Sequence, residues 1–304
     1  MNKRYLWGVD LGGTKVEGIV IDADSGEILI RERIPTEAAN GYDHILKQIK
    51  KLIDLLSEKT GIKPDAIGFS TPGTIDPKSQ LMKNSNTVCM NGQPMHKDLE
   101  KTLGVRVVLA NDANCFALAE ATMGIVPEKY PEAQVVFGVI MGTGVGGGVV
   151  VNGKVISGKH SIGGEWGHNT LEENGEDCYC GKKGCNEKVF AGPALERYYA
   201  SISGEKKKMK EIAELYRAGT DPHATATMER LFKSFGKAIH YIINVLDPDV
   251  VVLGGGVSNV DEIYTEGPKE LAKYIFNKGQ VDTVFLKPKL GDSAGVFGAA
   301  ELVR

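Results

Sequence analysis

The chain has 304 residues, enough for two ordinary domains, with 42% hydrophobic and 25% charged residues, an average globular balance. Its 36 Lys and Arg stand against 39 Asp and Glu, and the net charge of −3 gives no support for a nucleic-acid partner. No stretch approaches the roughly eighteen apolar residues of a spanning helix, so no membrane role is expected.

Met1-Asn2-Lys3-Arg4 carries no small-residue cleavage site, so a cytoplasmic location without a signal peptide is expected. Residues 5–10 form an apolar run that ends at Gly12-Gly13-Thr14-Lys15. Residues 16–21 are apolar again, a turn follows at 22–26, and 27–34 alternates as a third strand. Ile45, Ile49, Leu52, Ile53 and Leu56 make a helical stripe over 42–57. Residues 66–70 read as a short buried strand running into Thr71-Pro72-Gly73, 99–103 close a second helix, and 105–109 are another strand. Asn111 or Asp112 then caps a helix over 115–123.

The pattern recurs. Residues 135–141 are a strand ending in Gly142-Thr143-Gly144-Val145-Gly146-Gly147-Gly148, strand resumes at 149–151, and Asn152-Gly153 is a hairpin turn. A long amphipathic helix over 228–246 stops at Asp247-Pro248, and 250–253 are a strand ending in Gly254-Gly255-Gly256. The tail over 293–303 is Gly-rich and then helical. Strand, glycine turn, strand thus appears twice, which predicts two α/β domains of related design with a cleft between them. The expected division is a smaller domain over 1–115, completed by a C-terminal helix over 290–304, and a larger one over 116–289.

The glycine runs invite two misreadings. Gly142-Thr143-Gly144-Val145-Gly146-Gly147 matches the dinucleotide fingerprint, but a β-branched run follows where a helix is required. Residues 153–160 begin a phosphate-binding Walker loop, but His160 stands where Ser or Thr would hold Mg²⁺. The turn Asp10-Leu11-Gly12-Gly13-Thr14-Lys15 is the better phosphate site. It offers backbone N–H groups and a hydroxyl to anionic oxygens, and Asp10 at the strand end can hold Mg²⁺ through water.

Four metal-ligand residues cluster in the second half. His168, nine residues, Cys178, one residue, Cys180, four residues, Cys185 is a spacing that suits a structural tetrahedral Zn²⁺. A Cys178–Cys180 disulfide would be strained across one intervening residue. The remaining thiols, Cys89 and Cys115, sit among small or apolar residues and read as inert. Glu165 and Glu187 flank the cluster and suggest a rigid site for a polar ligand.

Together these residues resemble the ROK family of sugar kinases, within the actin-like ATPase (ribonuclease H-like) superfamily. The likeness is carried by residues 10–15, 142–146, 253–256, by the loop Gly164-Glu165-Trp166-Gly167-His168, and by the cysteine loop up to Glu187. Within the family, Lys83-Asn84-Ser85-Asn86, Asn91-Gly92-Gln93-Pro94 and Cys178-Tyr179-Cys180-Gly181-Lys182 are similar to bacterial fructokinases and mannokinases. N-acetylglucosamine kinases share much of this, so the alternative reading is an N-acetylglucosamine kinase or a glucokinase of the same family.

The resemblance implies ATP-dependent phosphorylation of a hexose 6-hydroxyl, fructose or mannose first, with ATP, Mg²⁺ and structural Zn²⁺ as cofactors and a homodimer as the assembly. It implies that Asp112 is the base, competing with its bland reading as a helix cap. It places the nucleotide on Asp10, Gly12, Gly13, Thr14, Lys15, Gly142, Thr143, Gly144, Gly254, Gly255 and Gly256. It places the sugar on Gly73, Asn86, Asn111, Asp112, Glu165, His168 and Glu187, with one His168 nitrogen on zinc and the other on a sugar hydroxyl. A sugar-sensing repressor of the same family would need a helix-turn-helix, for which the nine residues before Asp10 are too few.

Overall fold

Apolar runs punctuated by glycine set the local structure, and the computed structural model describes residues 4–304. The chain opens with strands β1 (Tyr5–Leu11), β2 (Lys15–Asp22) and β3 (Ile28–Pro35), helix α1 (Tyr42–Thr60) and β4 (Ala66–Thr71). A small hairpin, β5 (Thr74–Ile75) with β6 (Met82–Lys83), precedes α2 (Met95–Leu103), β7 (Arg106–Asn111), α3 (Asp112–Thr122) and α4 (Ile125–Lys129). Next come β8 (Val135–Met141), β9 (Val145–Val151), β10 (Lys154–Val155) and helices α5 (Asn186–Phe190), α6 (Gly192–Ser203), α7 (Met209–Ala218) and α8 (Pro222–Leu246). The chain ends with β11 (Val250–Gly254), α9 (Ile263–Leu271), β12 (Val284–Leu286) and α10 (Ala294–Glu301).

The two five-stranded sheets share one plan, with orders β3-β2-β1-β4-β7 and β10-β9-β8-β11-β12. In the first, β1 and β2 are antiparallel across the glycine turn, while β1, β4 and β7 run parallel. In the second, β8, β11 and β12 run parallel. The chain divides into two compact units. The first holds the residues up to Lys129, Gly148–Gly163 and Lys289–Arg304, and the second holds Tyr130–Gly147 and Gly164–Pro288.

In the first unit the α1 stripe Ile45, Ile49, Leu52, Ile53 and Leu56 packs with Trp7, Val9, Val20, Ile67 and Phe69 of the sheet. Helix α10 takes β1 and β4 at backbone range. A Cβ on Gly68 would fall 1.8 Å from the Ala299 carbonyl oxygen, and one on Gly8 would fall 2.4 Å from that of Val296. The same helix meets α3 at Gly298, where a Cβ would lie 1.8 Å from the Cys115 carbonyl oxygen. The buried Glu120 carboxylate of α3 accepts from the N–H groups of Ile125, Lys289 and Leu290 at 2.9, 3.0 and 2.8 Å. These bonds satisfy a charge that would otherwise be costly to bury. Both contacts draw α3 and α4 into this unit, so it runs past residue 115, where the sequence suggests a boundary.

The second unit is built on aromatic side chains. Phe137, Trp166, Phe190, Phe235 and Phe285 follow one another at centroid distances of 5.7 to 6.5 Å. Helix α8 starts at Pro222, earlier than its apolar stripe suggests, because Asp221 caps it by accepting from His223 and Ala224. It ends at Asp247, left-handed at φ 45°, just before Pro248. Strand β9 begins at Val145, so Gly146, Gly147 and Gly148 are strand where the sequence suggests turn. No helix follows either tempting glycine run, and Asn152-Gly153, with φ of 49° and 70°, makes the hairpin turn between β9 and β10. Helices α6, α7 and α9 and strand β12 escape the sequence reading. No helix among the described residues is long and apolar enough to cross a membrane.

Candidate functional site

The first unit gathers one set of candidate residues. Asp10, near the end of β1, is in register with Ser70 of β4. The turn after it closes where the Gly12 N–H donates to the Lys15 carbonyl at 3.0 Å, and the Thr36 hydroxyl donates to the Gly12 carbonyl at 2.7 Å. The side chains of Thr14 and Lys15 are exposed at this turn, beside Gly13. Helix α10 begins over Asp10. A Cβ on Gly295 would stand 2.8 Å from the Asp10 carboxylate carbon, so only glycine lets the first helical turn approach it.

Asp112 is the first residue of α3. Asn111 is the cap, accepting from the Asn114 N–H at 2.9 Å, which leaves the Asp112 carboxylate available for chemistry. Water reaches Asp112, yet protein crowds it enough that desolvation raises its pKa above the ordinary 3.8, against the opposing pull of the Ala113 N–H at 2.8 Å. Burial raises the Asp10 pKa too, partly offset by the Ser70 hydroxyl and reinforced by repulsion from Asp112. Two carboxylates in mutual repulsion are hard oxygen donors of the kind that suits Mg²⁺. Near Asp112, the Cys115 thiol is fully buried and burial holds its pKa well above 9.0, so it is inert as a nucleophile.

Gly73 and Asn86 belong to this unit as well. A Cβ on Gly73 would lie 2.6 Å from the Lys83 carbonyl oxygen, so the glycine seats the loop that carries Asn86. Asn91 pins that loop, accepting from the Ser85 N–H at 2.9 Å and donating to its carbonyl at 2.8 Å. Asn86 itself is exposed.

The second unit gathers the rest. In the turn between β8 and β9 the Gly142 N–H donates to the Gly144 carbonyl, and the Gly192 N–H at the start of α6 donates to that of Gly142, both at 2.9 Å. Thr143 is exposed between them. After β11, Gly255 has φ 82° with a would-be Cβ 2.5 Å from the Met141 carbonyl oxygen, a place only glycine fits. A Cβ added at Gly142 or Gly256 would meet no protein atom within 4 Å, so both backbones open on free space that a nucleotide can fill. Gly254 closes β11 itself.

Loop 164–168 is fastened to the start of β9, beside the Gly142–Gly144 turn. The Trp166 indole donates to the Gly146 carbonyl at 2.9 Å, and Asn186 donates to the Trp166 carbonyl at 2.7 Å. The Glu187 carboxylate accepts from the Val145 N–H at 3.2 Å, and a Cβ on Gly144 would lie 2.5 Å from it. Glu187 therefore touches the second glycine turn, and Glu165 and His168 are half-buried on the loop.

His168, Cys178, Cys180 and Cys185 present four ligand atoms all within 4.8 Å of one another. Cys178 Sγ is 3.6 Å from His168 Nδ1, and Cys180 Sγ is 3.6 Å from Cys185 Sγ. Donors about 2.3 Å from a common ion at tetrahedral corners stand about 3.7 Å apart, so this set fits Zn²⁺. The sulfur separation is far beyond the roughly 2.05 Å of a disulfide. The other ring nitrogen, His168 Nε2, lies 2.9 Å from the Tyr179 hydroxyl. Tyr179 is the residue the sequence reading passed over, and its place between two metal-spaced cysteines was the available signal.

Residues 6–304 match the sequence profile of the ROK family. The N-acetyl-D-glucosamine kinase of Aliivibrio fischeri is 37% identical over 306 residues, covering 97% of this chain and 98% of its own. A ROK hexokinase structure from Thermus thermophilus superposes with a TM-score of 0.86 at 31% identity, covering 98% of this chain and 97% of its own. A ROK family glucokinase from Streptomyces griseus, solved with glucose and AMPPNP, gives 0.76 at 27% identity, covering 98% and 99%. These likenesses and the paired glycine turns define a sugar kinase of the two-domain actin-like α/β fold. The chain belongs to the ROK family.

Proposed function

We propose that this protein transfers the γ-phosphoryl group of ATP to the 6-hydroxyl of a hexose, with N-acetyl-D-glucosamine the first substrate. The observation that supports this substrate is the 37% identity to an N-acetyl-D-glucosamine kinase along essentially the whole of both chains. The short runs similar to fructokinases favour fructose, but they cover only a few loops. Full-length similarity draws on every residue that shapes a sugar site.

Phosphoryl transfer mainly needs positioning and charge stabilisation, because its transition state is loose. Asp112 accepts the proton of the attacking hydroxyl while that oxygen bonds to the γ-phosphorus and ADP departs. Its raised pKa makes the carboxylate a stronger base than an aspartate of ordinary pKa. Glu165, His168 and Glu187, with Gly73, Asn86 and Asn111, hold the sugar hydroxyls; each carboxylate accepts from two. Residues 12–15, 142–144 and 254–256 cradle the nucleotide, with the exposed Thr14 and Thr143 hydroxyls donating to phosphate oxygens. Bound Mg²⁺ supplies charge neutralisation across the terminal phosphates, and Asp10 would hold it. The four-ligand zinc would be structural, since it leaves no open position for substrate.

A coupled ADP-release assay over N-acetyl-D-glucosamine, glucose, mannose and fructose tests this reading, with the phosphorylated position assigned by NMR. The expected result is the highest kcat/KM with N-acetyl-D-glucosamine and a 6-phosphate product. Fructose as the best substrate would overturn the sugar assignment, and ADP release with none of the four would overturn the reaction.

A further inference from the structure

The geometry points to Tyr179 as a gatekeeper of the sugar site, its phenol occupying the place of the sugar hydroxyl that His168 binds and leaving when the sugar arrives. The inference rests on the sugar-kinase reading above. His168 has its Nδ1 turned to the Cys178 sulfur at 3.6 Å, the side a metal would take. A nitrogen that ligates a metal carries no proton, so with zinc on Nδ1 the proton would sit on Nε2 and be donated outward. The acceptor found there is the Tyr179 oxygen, at 2.9 Å. The two rings meet edge to face, with centroids 5.0 Å apart and planes at 85°.

Three further features fit a stand-in for substrate. Tyr179 is 78% exposed, so few contacts besides the His168 bond and ring contact hold it in place. A phenol also matches an alcohol group for group, with one O–H to donate and lone pairs to accept. The backbone supports movement only of the side chain. The Cys178 N–H donates to the Lys182 carbonyl at 2.8 Å, and the Gly181 N–H donates to that of Cys178 at 3.0 Å, so the turn itself is closed.

The consequence is competition. The sugar must replace an existing hydrogen bond at His168, and its affinity is lowered by that bond's net worth, about two- to tenfold. Tyr179→Phe keeps the ring and removes only the hydroxyl. The test measures zinc content by mass spectrometry, and sugar affinity by calorimetry without nucleotide, on the full chain and on this variant. Near-ultraviolet difference spectra follow the tyrosine environment on sugar addition. The expected result is unchanged zinc, sugar binding tighter by about two- to tenfold, and a tyrosine difference signal present in the parent and lost in the variant. Equal or weaker sugar binding by the variant would overturn the inference, as would a zinc deficit, because the phenol would then serve the imidazole rather than exclude the sugar. If the parent chain binds none of the four sugars, the kinase reading fails and takes this inference with it. A parent that binds sugar while the variant binds it no more tightly defeats the gatekeeper alone.

Discussion

Asp112 owes its basicity to its neighbours. Asn111 takes over the capping of α3, and the crowding of protein around the Asp112 carboxylate raises its pKa. Asp112→Asn retains the shape and removes the proposed base. Its kcat should fall by about 10²- to 10⁴-fold, with sugar affinity, zinc content and thermal midpoint little changed. Stopped-assay kinetics with calorimetry check this, and near-normal turnover would refute the assignment. The sign of the pH dependence follows from the raised pKa. Only the ionised carboxylate accepts a proton, so kcat/KM should climb with pH through a value above 3.8 and then level off. That limb should vanish from whatever activity the asparagine variant retains.

At the scale of elements, the loop before α5 is held at several points. Trp166 ties residues 164–168 to β9 and Asn186 ties them to α5, and the Lys182 ammonium donates to the His168 carbonyl at 3.0 Å. The metal cluster would close the remaining freedom. Cys180→Ser should lower zinc from about one ion per chain and raise the sugar KM more than it lowers kcat. Metal analysis beside steady-state kinetics decides it, and full zinc with an unchanged KM would count against a structural ion. Much of this loop was legible in the sequence, because ligand spacing is a local property. So were the glycine turns and the α1 stripe, whose periods show over a few residues. The bond from Glu187 to the Val145 N–H, the phenol of Tyr179 on His168 and the strand character of Gly146–Gly148 were not. The first depends on a partner 42 residues away and the second on how the loop folds back on itself, while glycine gives no side-chain period from which to read a strand.

At the scale of the molecule, the first unit is assembled from three separate stretches of chain, the last beginning at Lys289. Helix α10 covers the sheet at Gly8 and Gly68 and supplies buried Val296, Phe297, Ala299 and Ala300. Its approach segment satisfies the Glu120 carboxylate. A chain ending at Pro288 would expose that apolar face and strand a buried charge, a cost of several kcal/mol. The expected outcome is loss of soluble protein, or of cooperative unfolding. A truncated chain that melts sharply near the full-length midpoint would contradict it. The glycines at positions 8, 68 and 298 were visible in the sequence as composition only, since the helix they admit lies some 230 to 290 positions away for the two in the sheet.

The three-part make-up of the first unit also fixes a timetable. Its opening strands leave the ribosome hundreds of residues before their covering helix exists, while the second unit is complete once Pro288 has emerged. Domains generally mature in order of synthesis, but here the later-begun body is finished first. The earlier one waits with an uncovered sheet face, and nascent chains stalled short of residue 289 are the ones a chaperone should hold.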